Sequence, residues 1–324
     1  MRLKLKAIAA TALLSTLFTF ANAEPKRPEC IAPAQPGGGF DLTCKLAQSG
    51  FKDTGLIERP IRVTYMPGGV GAVAYNRIIS NRNSDPNAII AFSTGSLLNI
   101  AQGKFGQYNE NDVKWLAAIG TDYGAISVRS DSQYKTLNDL IEALKNNPKS
   151  VVIGAGGSIG GQDWMQMALL GKKAGFNIKD VSYVPLEGGG ETITNILGEH
   201  IDVMSSGIAE IIPYVESGDM RVLALLADTR LEGALADLPT AKEQGYDISW
   251  PVIRGFYMGP KVSEADFEWW NKKFNELLKN KEFQELRAQR DLLPLDLTGE
   301  KLDQYVDEHV KELRELSQEF GLVE

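Results

Sequence analysis

A short apolar run, a glycine-rich turn and the start of an amphipathic stretch follow one another four times along the chain, and no other feature constrains its fold as tightly. The turns are Pro36-Gly37-Gly38-Gly39 before Asp41, Pro67-Gly68-Gly69-Val70-Gly71 before Ala72, Gly154-Ala155-Gly156-Gly157-Ser158-Ile159-Gly160-Gly161 before Asp163, and Gly188-Gly189-Gly190 before Glu191. Glycine tolerates positive φ and lets main chain approach a ligand closely. The helix start behind each turn presents free N–H groups and about half a positive charge. Each turn is thus a potential anion site made of backbone. A single such turn only joins strand to helix; four together point to a ligand cleft beyond the strand ends.

Strand-like runs alternate with amphipathic stretches throughout, which predicts an α/β fold with mainly parallel sheets. Strands are expected at 30–33, 61–65, 88–93, 115–120, 125–129, 151–154, 181–184, 203–206, 222–226 and 255–259. Helices are expected at 42–50, 72–81, 137–146, 163–174, 191–197, 209–216, 264–279, 281–289 and 299–320. A chain of 324 residues usually splits into two compact units. With no linker or repeat in sight, the crossings between lobes are expected on the apolar runs Gly124–Arg129 and Arg254–Pro260. One lobe is then discontinuous, 24–124 plus 247–324, and the other is 125–246.

Residues 1–23 read as a cleaved secretory signal: Arg2, Lys4 and Lys6, an apolar run from Ala7 to Phe20, and Ala21-Asn22-Ala23 before Glu24. The run is shorter than the roughly 20 residues that span a bilayer. No cysteine follows the cleavage site directly, so the expected location is the periplasm without a lipid anchor. The formal net charge of −8 argues against a nucleic-acid partner. An anionic ligand must then be held by local donors. Cys30 and Cys44 are the only cysteines; in an oxidising compartment they form a disulfide or remain two buried thiols.

Catalytic signatures are missing. His200 and His309, the only histidines, read as solvated surface residues, and no C-x-x-C, H-E-x-x-H or G-x-S-x-G motif occurs. No catalytic residue, metal site or cofactor is expected. The rival class is a nicotinamide-dependent oxidoreductase using Gly154–Gly160, but that turn reads G-x-G-x-x-x-G rather than G-x-G-x-x-G. A sensor partner that reports the same ligand to a membrane kinase is a third reading. Ser93-Thr94-Gly95-Ser96 and Ser205-Ser206-Gly207 offer hydroxyls at strand ends, while Asp41 suits an N-cap. Trp164, opening the helix behind the third turn, could wall a cleft.

The run Ala32-Pro33-Ala34-Gln35-Pro36-Gly37-Gly38-Gly39-Phe40-Asp41, then Pro67–Gly71, Gly157-Ser158, Tyr183-Val184-Pro185, Gly188–Gly190, Ile201-Asp202-Val203, Arg221-Val222-Leu223-Ala224 and Leu238-Pro239-Thr240 resembles the substrate-binding receptors of tripartite tricarboxylate transporters, the Bug family. The resemblance covers nearly all of the chain after the leader. Cys30-Ile31-Ala32-Pro33 with Leu42-Thr43-Cys44 is similar to the citrate-binding branch. It implies a periplasmic binding protein type II fold whose two α/β lobes close on a small carboxylate, with citrate or a related tricarboxylate first and a dicarboxylate second. It also implies delivery to a large and a small membrane subunit, by a receptor expected to be a monomer. Carried over by position, the ligand contacts are Gly38, Gly39, Phe40 and Asp41 on one lobe and Gly157, Ser158 and Gly160 on the other, with hydroxyls from Thr94, Ser96, Ser205 and Ser206. Gln162 stands close behind the Gly-Ser pair, where many relatives carry histidine.

Overall fold

The computed structural model describes residues 24–324; the signal expected at 1–23 lies outside them. From the N-terminus the chain runs β1 (Glu29–Ala32), α1 (Gly39–Thr54), β2 (Arg62–Tyr65), α2 (Ala72–Asn81), β3 (Ala88–Ser93), α3 (Thr94–Ala101) and β4 (Lys114–Arg129). It continues through α4 (Leu137–Asn146), β5 (Val152–Gly156), α5 (Gln162–Ala174), β6 (Ser182–Leu186), α6 (Gly189–Leu197), β7 (Val203–Gly207), α7 (Ile208–Glu216) and β8 (Met220–Leu226). The last part holds β9 (Pro251–Met258), α8 (Glu264–Leu278), α9 (Lys281–Ala288), β10 (Leu297–Thr298) and α10 (Glu300–Glu319).

Two sheets share one strand. In the first, β1 pairs parallel with β2 and β3, while β9 joins antiparallel between β3 and β4. In the second, β5 pairs parallel with β6 and β7, and β4 runs antiparallel to β7 and β8. The long β4 belongs to both: it pairs with β9 as far as Tyr123↔Pro251, then with β7 and β8 from Gly124 onward. The chain returns at Trp250, whose N–H bonds Leu226 while its carbonyl accepts from Gly124.

Several expectations need correction here. The sheets are mixed rather than mainly parallel, because a strand that leaves one sheet and a strand that returns run in opposite senses. Segments 115–120 and 125–129 form one continuous strand, and the pairing changes at Tyr123–Gly124 and Trp250–Pro251, just before the runs expected to cross. Where the sequence suggests a strand-end turn at 93–96, helix α3 begins, and Ser93 caps it, accepting the Gly95 N–H at 3.2 Å. All of its residues are buried, so no polar face marks a helical period.

Apolar side chains from both sheets and their flanking helices form the core. Trp164 lies inside it, 1% exposed, with its ring edge against Phe320 of the C-terminal segment; it does not wall a cleft. His309 is largely buried and stacks on Tyr305, so only His200 is an exposed surface histidine. Cys30 in β1 and Cys44 in α1 are joined by a disulfide, Cα atoms 5.6 Å apart.

Candidate functional site

The glycine turns converge where the two sheets face each other. The first turn lies against the fourth rather than the third: a methyl on Gly38 would stand 3.1 Å from the Gly189 nitrogen, and one on Gly190 would stand 2.1 Å from the Pro36 carbonyl oxygen. No side chain fits at Gly190, so backbone meets backbone across the gap. The third turn instead faces the second, Gly157 against Val70. Two hydrogen bonds reinforce this side, from Gln102 Nε2 to the Gly160 carbonyl at 2.8 Å and from Lys104 Nζ to the Ile159 carbonyl at 3.1 Å.

Beneath the first and fourth turns lies a buried charge cluster that the sequence reading missed. Arg254 of β9 is 2% exposed. Its Nε and Nη2 each lie 3.0 Å from the carboxylate of Asp122 on β4, and Nη2 also donates to Glu210 of α7 at 3.1 Å. Asp122 further accepts the Ala209 N–H at 3.1 Å. Arg254 and Asp122 sit on the first sheet, whereas Ala209 and Glu210 follow β7 of the second, so the cluster ties the two together. A methyl on Gly39 would stand 1.8 Å from Arg254 Nη1, so any larger residue there displaces the guanidinium. The Gly39 N–H, at the start of α1, points at the Glu210 carboxylate and favours its charged form.

Most of the backbone nests are already occupied by the chain's own acids. Asp41 accepts the Gly37 N–H at 2.8 Å, Glu191 that of Glu187 at 2.7 Å, and Asp163 that of Gly156 at 3.0 Å. Each of these acids sits in the first turn of its helix, where the helix dipole stabilises negative charge. Burial and the Glu210 charge push Asp163 up to about 7, against the pull of Gln162, Gly156 and Arg254. Burial also raises Glu210, with Arg254 opposing and Asp122 adding to the rise. Arg254 is raised despite its burial, because Asp122 and Glu210 hold its charge in place.

Two cavities open between the sheets. The inner one, about 40 Å³, is lined by Gly38, Gly39, Phe40, Gln162, Glu210 and Arg254 among others, and holds a few waters at most. The outer one, about 490 Å³, is lined by Asn99, Lys104, Gly157 and Ser158 among others. They share Val70 and Glu187 and form one recess.

Of the residues expected at the ligand, Gly38, Gly39, Phe40 and Gln162 face the inner cavity and Gly157 and Ser158 the outer. The others lie off both, their groups engaged within the fold. Thr94 Oγ1 donates to the Pro251 carbonyl and accepts the Ile253 N–H, each at 3.1 Å. Ser96 closes the cap of α3, Ser205 donates to Gln166 Oε1 at 2.8 Å, and Ser206 bonds the Gly207 carbonyl. Asp41 accepts from Gly37, Lys45 and Tyr65, and the Gly160 carbonyl is taken by Gln102. Thr94 therefore braces the crossing at Pro251 instead of reaching the cleft.

Two α/β units with a recess between them, entered by helix N-termini from both sides, define a protein of the periplasmic binding class. Within that class the chain belongs to the receptors of the tripartite tricarboxylate transporter family, whose profile matches residues 68–322. It is a binding protein and not an enzyme. A UPF0065 protein of Bordetella pertussis is 24% identical over 264 residues, 81% of this chain and 80% of the relative. The solved structure of the periplasmic binding protein BugD superposes with a TM-score of 0.82 at 20% identity, covering 93% of this chain and 99% of that one. That of MatC from Rhodopseudomonas palustris with bound malate gives 0.77 at 18% identity, covering 90% and 98%. Among the described residues no helix is long and apolar enough to cross a membrane.

Proposed function

We propose that this receptor, exported after cleavage at Ala23, captures a small carboxylate between its two units by closure and delivers it to the large and small membrane subunits of a tripartite transporter. The observation that carries the reading is the meeting of the first and fourth glycine turns, from opposite sheets, over Arg254. In this reading 24–124 with 247–324 forms one lobe and 125–246 the other, and the lobes move about Tyr123–Gly124 and Trp250–Pro251. Backbone at Gly38 and Phe40 and the Arg254 guanidinium hold one end of the ligand, with Gly39 giving the close approach that a side chain there would block. Gly157, Ser158 and Lys104 face its other end. Ligand bridging both lobes populates the closed form.

Citrate, the cargo the resemblance implies, is a trianion. Asp122 and Glu210 pair with the one guanidinium and Asp163 lines the same cavity without pairing to it, so further negative charge placed there is opposed by the acids already present. The cleft therefore suits a carboxylate of lower negative charge than citrate. The test is thermal unfolding of the chain from Glu24 against carboxylates, sugars and NAD. A ligand at about 100 times its dissociation constant adds roughly 2.7 kcal/mol. Selective stabilisation by carboxylates supports the reading; stabilisation by sugars or NAD alone overturns it.

A further inference from the structure

We propose that the C-terminal end of α10 is a latch: carried by one unit, it grips the other at the third glycine turn and at α5, and adds to the stability of the closed form. A latch presupposes the reading above that the two units move about Tyr123–Gly124 and Trp250–Pro251.

The body of α10 packs on the unit formed by 24–124 and 247–324. It buries Leu302, Val306, Val310 and Leu313, and Arg314 Nε donates to the Ala101 carbonyl at the end of α3 at 3.3 Å. The last turn leaves that unit. Phe320 meets Trp164 of α5, ring centroids 6.3 Å apart, and Glu319 pairs with Lys172 of the same helix. Gly321, at φ 65°, turns the chain back. The Leu322 N–H then reaches the Ser317 carbonyl and the Gly321 N–H the Gln318 carbonyl, each at 2.9 Å, the paired bonds that end a helix on a left-handed glycine. This turn aims Leu322 at the third glycine turn, where a methyl on Gly160 would stand 3.0 Å from Leu322 Cδ2.

Gln102, at the end of α3, joins helix and turn. Its Nε2 donates to the Gly160 carbonyl at 2.8 Å and to Ser317 Oγ at 3.0 Å, and Ser317 is fully buried. One amide therefore ties α10 to the turn that carries Gly157 and Ser158. Gln102, Phe320 and Leu322 are not among the residues lining either cavity; they are positioning residues that act on a ligand through the third turn. When the units part, Phe320 and Leu322 leave their apolar neighbours and Gln102 loses its carbonyl. Closing restores both, and the apolar burial favours the closed form. The Lys172–Glu319 pair, about half-exposed on both sides, adds little. The latch alone closes only a fraction of the molecules, and ligand completes the closure.

The test compares the protein from Glu24 with the double variant Phe320→Ser, Leu322→Ser, and with Gln102→Leu, which keeps the bulk of the side chain and decides the matter if the first does not fold. Without ligand, small-angle X-ray scattering should give the variant a larger radius of gyration than the parent. Ligand enters the open form, so with succinate as the probe the dissociation rate should rise while the association rate holds. Binding should weaken about tenfold if the closed fraction falls tenfold. A merely structural contact would lower the melting temperature and leave radius and affinity unmoved. An unchanged ligand-free radius overturns the inference whatever the affinity. A larger radius in the variant, with no carboxylate binding the parent, keeps the latch and removes the carboxylate reading.

Discussion

Replacing Arg254 with methionine removes the only cation of the buried cluster while keeping most of the side chain's bulk. Asp122 and Glu210, 0% and 8% exposed, then stay buried without a counter-charge. Asp122 keeps one hydrogen bond, from the Ala209 N–H, and Glu210 keeps the approach of the Gly39 N–H. Breaking a buried ion pair from one side costs about 3–5 kcal/mol. At about 2 °C per kcal/mol for a chain of this size, the melting temperature should fall by roughly 6–10 °C. The deficit should shrink as the pH is lowered, since burial raises Glu210 and its protonation removes a stranded charge. The triple change Arg254→Met, Asp122→Asn, Glu210→Gln should recover most of the loss. Scanning calorimetry from pH 5 to 8 measures all of this. A drop of under about 1 °C, or a deficit unchanged by pH, refutes the claim that this cluster ties the lobes together.

Three further outcomes are expected. Gly39→Val puts carbon atoms where Arg254 Nη1 lies, and should weaken carboxylate binding by about 100-fold, ~2.7 kcal/mol, without changing the circular dichroism spectrum; unaltered affinity would place the ligand elsewhere. The Cys30–Cys44 bridge closes a sequence separation of 14 residues, so the double alanine variant should lose about 3 kcal/mol in urea unfolding. Asp163 is held near 7 against an ordinary value of 3.8, so the native state keeps its proton longer than the unfolded chain and stability falls as pH rises between those values. Asp163→Asn should flatten that slope, and a slope that persists assigns it to another group.

The four glycine turns and the helices behind them were legible because glycine clusters and amphipathic periods are local signals. Arg254, Asp122 and Glu210 were not recognised, although each leaves a trace: a lone charge inside an otherwise apolar run, as in Pro251–Met258 and Ala117–Val128. A strand interior rarely buries a charge without a partner, so unpaired charges in separate runs were candidates for one another. What no local pattern reveals is which turns meet. The resemblance places ligand contacts on the first and third turns, whereas the first turn packs against the fourth. The resemblance implies ligand contacts at the hydroxyls of Thr94, Ser96, Ser205 and Ser206, which stand at strand ends. Their partners, Pro251, Ser93, Gln166 and Gly207, include residues distant in the chain and became apparent only in the folded molecule.

Closure of the two units on a carboxylate is the central claim, and small-angle X-ray scattering tests it most directly. The protein from Glu24 is titrated with the carboxylate that stabilises it most, alongside Gly39→Val. The radius of gyration should fall in step with occupancy in the parent protein and stay constant in the variant. Calorimetric binding with an unchanged radius would contradict it.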